Sequence, residues 1–352
     1  MRQARPARPG PNRRKQMVHA QPRPANVPQV SIVVPVHNHW DYTDRCLRSL
    51  EAVRGDITYE VVVVDDASSD ETAARLTQEP DLVVVTLADN LGFIGACNAG
   101  IAACRGEYVV LLNNDTEVRP GWLEAFVETM ADPTVGLVGA QLVYPDGRLQ
   151  EAGGILFSDG TGWNYGRLGD PQDPSFTYPR DVDYCSGAAI MLRRDFLMGL
   201  GGLDERYAPA YYDDADLAFA VRAAGLRVCY EPRAVVVHHE GVSHGTDLRS
   251  GVKSRQAVNR EVFARRWAVE LAEQHAPTDP GAVERSARRR QGRDLVVVFD
   301  HTVPTPDRDA GSVRALAMLT ALREAGHGVL LVPMSPVRAE PYTSAVQALG
   351  VE

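Results

Sequence analysis

Apolar runs alternating with helix-like segments predict an α/β protein on a doubly wound, mostly parallel sheet. Three observations carry this expectation. The runs at 30–35, 60–64, 82–87 and 109–112 are mostly apolar, and that at 60–64 has the continuous character of a strand covered on both faces. The segments between them show helical spacing or helix-start chemistry. The runs end in Asn, Asp and Ser, at the strand ends where ligands collect in open α/β sheets.

In order, residues 30–35 form a strand ending at Pro35, and a His37–Trp40 loop follows with Asp41 as the expected N-cap. Cys46, Leu47 and Leu50 then carry helical spacing. The strand at 60–64 ends in Asp65-Asp66-Ala67-Ser68-Ser69, whose acids and hydroxyls suit a helix start. After the third run, Asn90-Leu91-Gly92 makes a turn into a helix near 96–104. The fourth run stops at Asn113-Asn114-Asp115, with a helix expected from Pro120. Residues 137–143 read as a strand and 145–147 as a turn. Residues 153–182, dense in Gly, Asp and Pro, read as a long loop. Regular structure is expected at 188–192, as a helix at 213–224 closed by Gly225, and as a short strand at 235–237 before His238-His239. A helix is expected at 253–273, with Val258, Val262 and Trp267 among polar neighbours. A strand at 295–299, a helix at 311–325 and a strand at 329–332 make a partial C-terminal βαβ unit. The expected division is an arm at 1–28, a domain at 29–275, a linker at 276–293 and an incomplete Rossmann-like segment at 294–352.

A length of 352 residues suggests about two domains. The formal charge of −9 argues against nucleic-acid binding, which needs a basic footprint. The five cysteines lack metal-ligand spacing and read as buried thiols of a reducing compartment. No uncharged apolar run approaches the roughly 18 residues of a membrane helix, so the expectation is a cytoplasmic protein, soluble or peripheral at the inner membrane face. The arm is rich in Arg and Pro with no acid, which predicts disorder. It contains Met17, an alternative translation start that N-terminal sequencing would settle. The other reading of the arm is a basic segment drawn to anionic lipid.

Three acidic groups follow apolar segments: Asp65-Asp66, Asp115, and Asp213-Asp214 with Asp216. An acid after the second strand of a nucleotide-binding sheet commonly bonds the ribose or base; the alternative is helix capping. Asp115 suits a hard cation that also holds phosphate oxygens, or else an Asx-stabilised turn. Crowding at 213–216 raises at least one carboxyl pKa, and a carboxylate so raised makes a serviceable general base; the alternative is stabilisation by the helix dipole. Tyr211 and Tyr212 would line a saccharide site, and His238 and His239 would offer neutral imidazoles to a metal. The Gly-rich phosphate turn of a dinucleotide oxidoreductase is missing after the first strand, where Pro35-Val36-His37-Asn38 stands.

The ordered segments Val-Ser-Ile-Val-Val-Pro-Val-His-Asn, Val-Val-Asp-Asp-Ala-Ser-Ser-Asp, Asn-Leu-Gly-Phe-Ile-Gly-Ala-Cys-Asn, Leu-Leu-Asn-Asn-Asp-Thr-Glu-Val, Asp-Asp-Ala-Asp-Leu and His-His-Glu-Gly-Val-Ser resemble family 2 glycosyltransferases of the GT-A fold. The likeness spans roughly residues 30–270 and is strongest to the rhamnosyltransferase-like branch of bacterial surface polysaccharide synthesis. The resemblance implies an inverting transfer from a dTDP-, UDP- or GDP-linked sugar to a saccharide or lipid-linked acceptor, with Mg²⁺ or Mn²⁺. It implies that Asp65 and Asp66 hold the nucleotide, with Pro35 and Asn38 shaping the pocket and Asn90, Gly92, Asn98 and Asn114 near the nucleotide. Asn113-Asn114-Asp115 occupies the place of the family's Asp-x-Asp metal motif, with Asn113 replacing its first acid and His238 completing the site. Asp214 matches the catalytic base, with Asp213, Tyr212 and Gly187 on the acceptor side. Residues 295–312 resemble the opening of a family 4, GT-B-type module, which would make other glycosyltransferase modules its partners. The rivals are a nucleotidyltransferase, which would want a basic Gly-rich loop after the first strand, and a non-catalytic nucleotide-sugar or carbohydrate-binding module.

Overall fold

The computed structural model describes residues 27–240, 255–279, 281–287, 294–335 and 337–352. Met17 and nearly all of the arm lie outside the described residues, as do Gly241, Val242 and Ser243 of the last family segment. In chain order the elements begin β1 (Val30–Val36), α1 (Trp40–Ala52), β2 (Tyr59–Asp65), α2 (Thr72–Leu76), β3 (Leu82–Thr86), α3 (Gly92–Ala103) and β4 (Tyr108–Leu112). Then come β5 (Thr116–Val118), α4 (Trp122–Met130), β6 (Val135–Val143), β7 (Leu149–Glu151), β8 (Gly154–Leu156), β9 (Gly162–Asn164), β10 (Arg180–Asp181) and β11 (Ala189–Arg193). The series ends with α5 (Arg194–Leu200), α6 (Asp213–Ala223), β12 (Arg227–His238), α7 (Arg255–Arg266), α8 (Ala268–Leu271), α9 (Ala282–Ala287), β13 (Leu295–Asp300), α10 (Ala310–Glu324), β14 (Gly328–Pro333) and α11 (Tyr342–Ala348).

The main sheet runs β10-β12-β6-β11-β4-β1-β2-β3, with β5 added to β12 and β7 to β6. Strands β1 to β4 are mutually parallel where they pair, while β11 runs antiparallel between β4 and β6. The fold is thus α/β with a mostly parallel centre. The continuous apolar runs are explained by burial on both faces. Val33, Val62, Val64 and Leu111 face α3 and α6, whereas Ile32, Val34, Val63 and Leu112 face α1 and α4. Each fully buried aliphatic side chain of this kind contributes about 1.5–3 kcal/mol. The C-terminal unit pairs β13 with β14 in parallel and has its own small core around Leu319 and Val329.

Several local expectations need correction. His39, not Asp41, takes the N-cap position of α1, with left-handed backbone, and Asp41 pairs with Arg45 in the first turn. A strand, β5, follows Asp115 before Gly121 (φ 81°) opens α4. The long loop at 153–182 contains the β8–β9 hairpin and β10. The short strand at 235–237 is the tail of β12, which starts at Arg227 and is interrupted by a bulge between Glu231 and Val235. The stretch read as linker contains α9, whose Ala282 and Ala287 pack on Ile155 and Phe157. Val258 is exposed, and Phe263 and Trp267 supply the buried face of the following helices.

Candidate active site

A cavity of about 720 Å³ opens at the carboxyl ends of β1 and β4. Pro35, Asp66, Asn90 and Gly92 line its first side. Asp66 is buried, and its two oxygens accept the amides of Leu91 (2.7 Å) and Gly92 (2.9 Å), which ties the end of β2 to the start of α3. Asn90 accepts the Gly92 amide as well, at 3.0 Å. Gly92 has φ +74°, and a Cβ there would sit 2.7 Å from the Pro209 Cβ, so only glycine lets α3 approach the 208–209 turn. Three expected residues stay outside the cavity lining. Asp65 accepts the Ser68 amide, Asn38 accepts the amides of Ser69 and Asp70, and Asn98 bonds both backbone groups of Leu203.

Asn113, Asn114, Asp115 and His238 form the floor. Antiparallel pairing of Thr116 with His238 brings the two chain ends side by side, and the imidazole Nε2 lies 3.3 Å from Asp115 Oδ1. The other ring nitrogen, Nδ1, donates to Gln150 Oε1 at 2.9 Å, an assignment that follows from the acceptor it meets. Two lone-pair atoms then face each other, and only a cation or a proton makes that favourable. Asn113 Oδ1 and Asp115 Oδ1 are both buried without a hydrogen-bond partner. Buried polar atoms are nearly always satisfied, so these orphans fit a divalent cation. The protein donor set is small: among the described residues, no three His, Cys, Asp or Glu side chains cluster as a metal group. That suits Mg²⁺-type sites, which typically take one or two carboxylates and fill up with substrate oxygens. His239 departs from expectation, since it bonds Glu117 at 2.9 Å and stacks edge-on against Tyr42.

Tyr212, Asp213, Asp214 and Gly187 make the opposite wall. Tyr211 and Tyr212 precede α6 with φ 77° and 68°, a left-handed pair that is rare for bulky residues and stores strain. Asn259 of α7 holds that turn: its Nδ2 donates to the carbonyls of Tyr207, Ala210 and Tyr211. Tyr212 donates its hydroxyl to the Gly160 carbonyl. Asp214 accepts the Gly187 amide at 3.2 Å and the Ala215 amide at 2.8 Å. Burial pushes its carboxyl above the ordinary range, against the pull of those amides. Burial also raises Asp213, with the charge of Asp214 adding to it. Asp216 points away from the cavity, where it accepts from Tyr207, Trp267 and Arg266 and joins α6 to α7 and α8.

Among the lining residues that escaped the sequence reading are His37, Gln150 and Glu151. His37 Nδ1 donates to the Asp66 carbonyl at 2.7 Å. Glu151 accepts the Ser186 amide at 2.8 Å, and burial raises its carboxyl to about 8. The signal available was a Gln-Glu pair between Leu149 and Ala152-Gly153-Gly154, polar residues in a run too short to read as a strand.

The fold and cavity define a GT-A, nucleotide-diphospho-sugar transferase architecture. A mannosyltransferase from Pyrobaculum calidifontis, solved with GDP-Man and Mn²⁺, superposes with a TM-score of 0.52 at 20% identity, covering 96% of this chain and 88% of that one. Residues 31–201 match the profile of Glycosyl transferase family 2. The O-antigen biosynthesis protein RfbC of Myxococcus xanthus is 33% identical over 231 residues, 62% of this chain and 18% of that protein. The pre-mycofactocin glycosyltransferase of Mycobacterium tuberculosis is 32% identical over 267 residues, 73% of this chain and 51% of its own length. The chain spans about half or less of such relatives.

Proposed function

We propose that this chain is an inverting glycosyltransferase that moves a sugar from a nucleotide-diphosphate donor to a hydroxyl of a saccharide or lipid-linked acceptor in bacterial surface polysaccharide synthesis. The observation that carries the reading is the meeting of Asp214, a raised carboxyl held by two amides, with Asp115, Asn113 and His238 in one cleft. Asp66, Asn90 and the Gly92 turn would shape the nucleotide side, with Pro35 and Asn114 beside them. Asp65, Asn38 and Asn98 would act through the loops they hold. A divalent cation held by Asp115, Asn113 and His238 would neutralise charge on the leaving diphosphate. Asp214 takes the proton of the acceptor hydroxyl as that oxygen bonds the anomeric carbon from the face opposite the departing diphosphate. The Gly187 and Ala215 amides hold the carboxylate in place for that step. Asp213, Tyr212 and Gly187 would border the acceptor.

Among the described residues no helix is long and apolar enough to cross a membrane. With a lipid-linked acceptor, we read the protein as cytoplasmic and peripheral at an anionic membrane face. The parallel β13–β14 pair with α10 supports our reading of 294–352 as a Rossmann-like segment of family 4, GT-B type. A turnover screen across dTDP-, UDP- and GDP-sugars tests the whole. Release of nucleoside diphosphate that stops in excess chelator and returns with Mg²⁺ or Mn²⁺ is expected. Full activity in chelator would remove the cation from this account.

A further inference from the structure

The cleft contains an acid that this reaction leaves without work. Glu151, at the end of β7, is 1% exposed, yet lines the cavity. Its Oε1 accepts the Ser186 amide, and its Oε2 is buried with no hydrogen-bond partner. The next amide along, that of Gly187, goes to Asp214. One turn therefore fixes two carboxyl groups beside the same space. The ionisable groups facing Glu151 are Asp214 from α6 and Tyr184 and Cys185 from the segment before β11. None of these is a cation, so an ionised Glu151 would be buried among acids. Leaving a buried polar oxygen unpaired is costly, and a sugar hydroxyl in the cleft would relieve that.

We propose that Glu151 acts as a neutral carboxylic acid whose Oε2–H donates a hydrogen bond to a hydroxyl of the pyranose bound beside Asp214, making it a specificity-determining residue. This rests on the glycosyltransferase reading. The pyranose belongs either to the donor or to the acceptor, and two assays separate these sources. One is hydrolysis of the donor in water; the other is transfer to a panel of free monosaccharides and alkyl glycosides.

The test compares Glu151→Leu and Glu151→Gln with the wild-type chain. Leu should lower kcat/KM about tenfold or more, the worth of one lost hydrogen bond in a buried site. Loss in both assays marks the donor sugar; loss in transfer alone marks the acceptor. Gln, which keeps an N–H donor, should recover most of the loss. Wild-type turnover should decline as pH rises through about 8, and the Gln variant should lack that decline. Melting gives an independent reading. The folded-state pKa is raised, so the proton's contribution to stability is full below the ordinary value of 4.5 and is lost as pH rises through about 8. The Tm of the Gln variant should therefore gain on the wild type across that window. Wild-type rates with Leu in both assays, or Gln no better than Leu with the alkaline decline unchanged, would overturn the proposal. A wild-type chain that turns over no nucleotide sugar overturns the transferase reading itself, and this one with it.

Discussion

The two walls of the cleft use carboxylates in opposite ways. On the β1–α3 wall, Asp66 accepts two amides from the turn into α3, and behind it Asp65, outside the cavity lining, accepts one from its own loop. Those acids hold backbone. On the β7–α6 wall, Asp213, Asp214 and Glu151 crowd together, burial raises all three, and Glu151 retains an oxygen with no partner. Those acids are held by backbone and left poised. Asp66 and Asp214 each accept two amides, so what separates the walls is the company of other buried acids around Asp214.

The largest effect that follows concerns Asp214→Asn. It should lower kcat by about 10²–10⁴-fold while leaving nucleotide-sugar affinity nearly intact. Equal losses of affinity and rate would place Asp214 with the binding acids and erase the contrast. A smaller effect is expected from Asp66→Ala, which strands two amides and should cost about 2–3 kcal/mol of stability by denaturant unfolding. Its signature in kinetics should be a raised donor KM. A fall in kcat alone would make Asp66 resemble the other wall. Smaller still is Asn259→Leu, which releases three carbonyls behind the Tyr211–Tyr212 turn. It should cost about 1 kcal/mol or somewhat more, with kcat falling and donor KM unchanged. Circular dichroism would confirm that α6 survives.

The architecture was legible where the sequence signal is local. β1, β2 and β4 are largely apolar because both faces are covered, and the helices between them carry their own spacing. The signal failed where partners are distant. β5 has three residues and exists because β12 reaches it. β12 was cut short in the reading because Glu231 and Arg233 sit inside it. Glu231 is buried and satisfied by Thr129 and Arg233, contacts no local window reveals. The same limit shaped the reading of the site. Asp115, Asp214 and His238 stand at element ends and could be named. Asp65, Asn38 and Asn98 also stand in matching motifs, yet their side chains are occupied with loops. Glu151 became visible only when the Ser186 turn came back across β7.

The pairing of β5 with β12 also sets an order of assembly. Asp115 leaves the parallel core early in the chain, but its neighbour His238 belongs to the last strand added to the main sheet. Closing so long a loop is slow compared with forming the local strand–helix units before it. The β1–β4 part of the sheet can therefore form before His238 arrives beside Asp115. Under the function proposed above, the proposed cation ligands would come together only once β12 has docked.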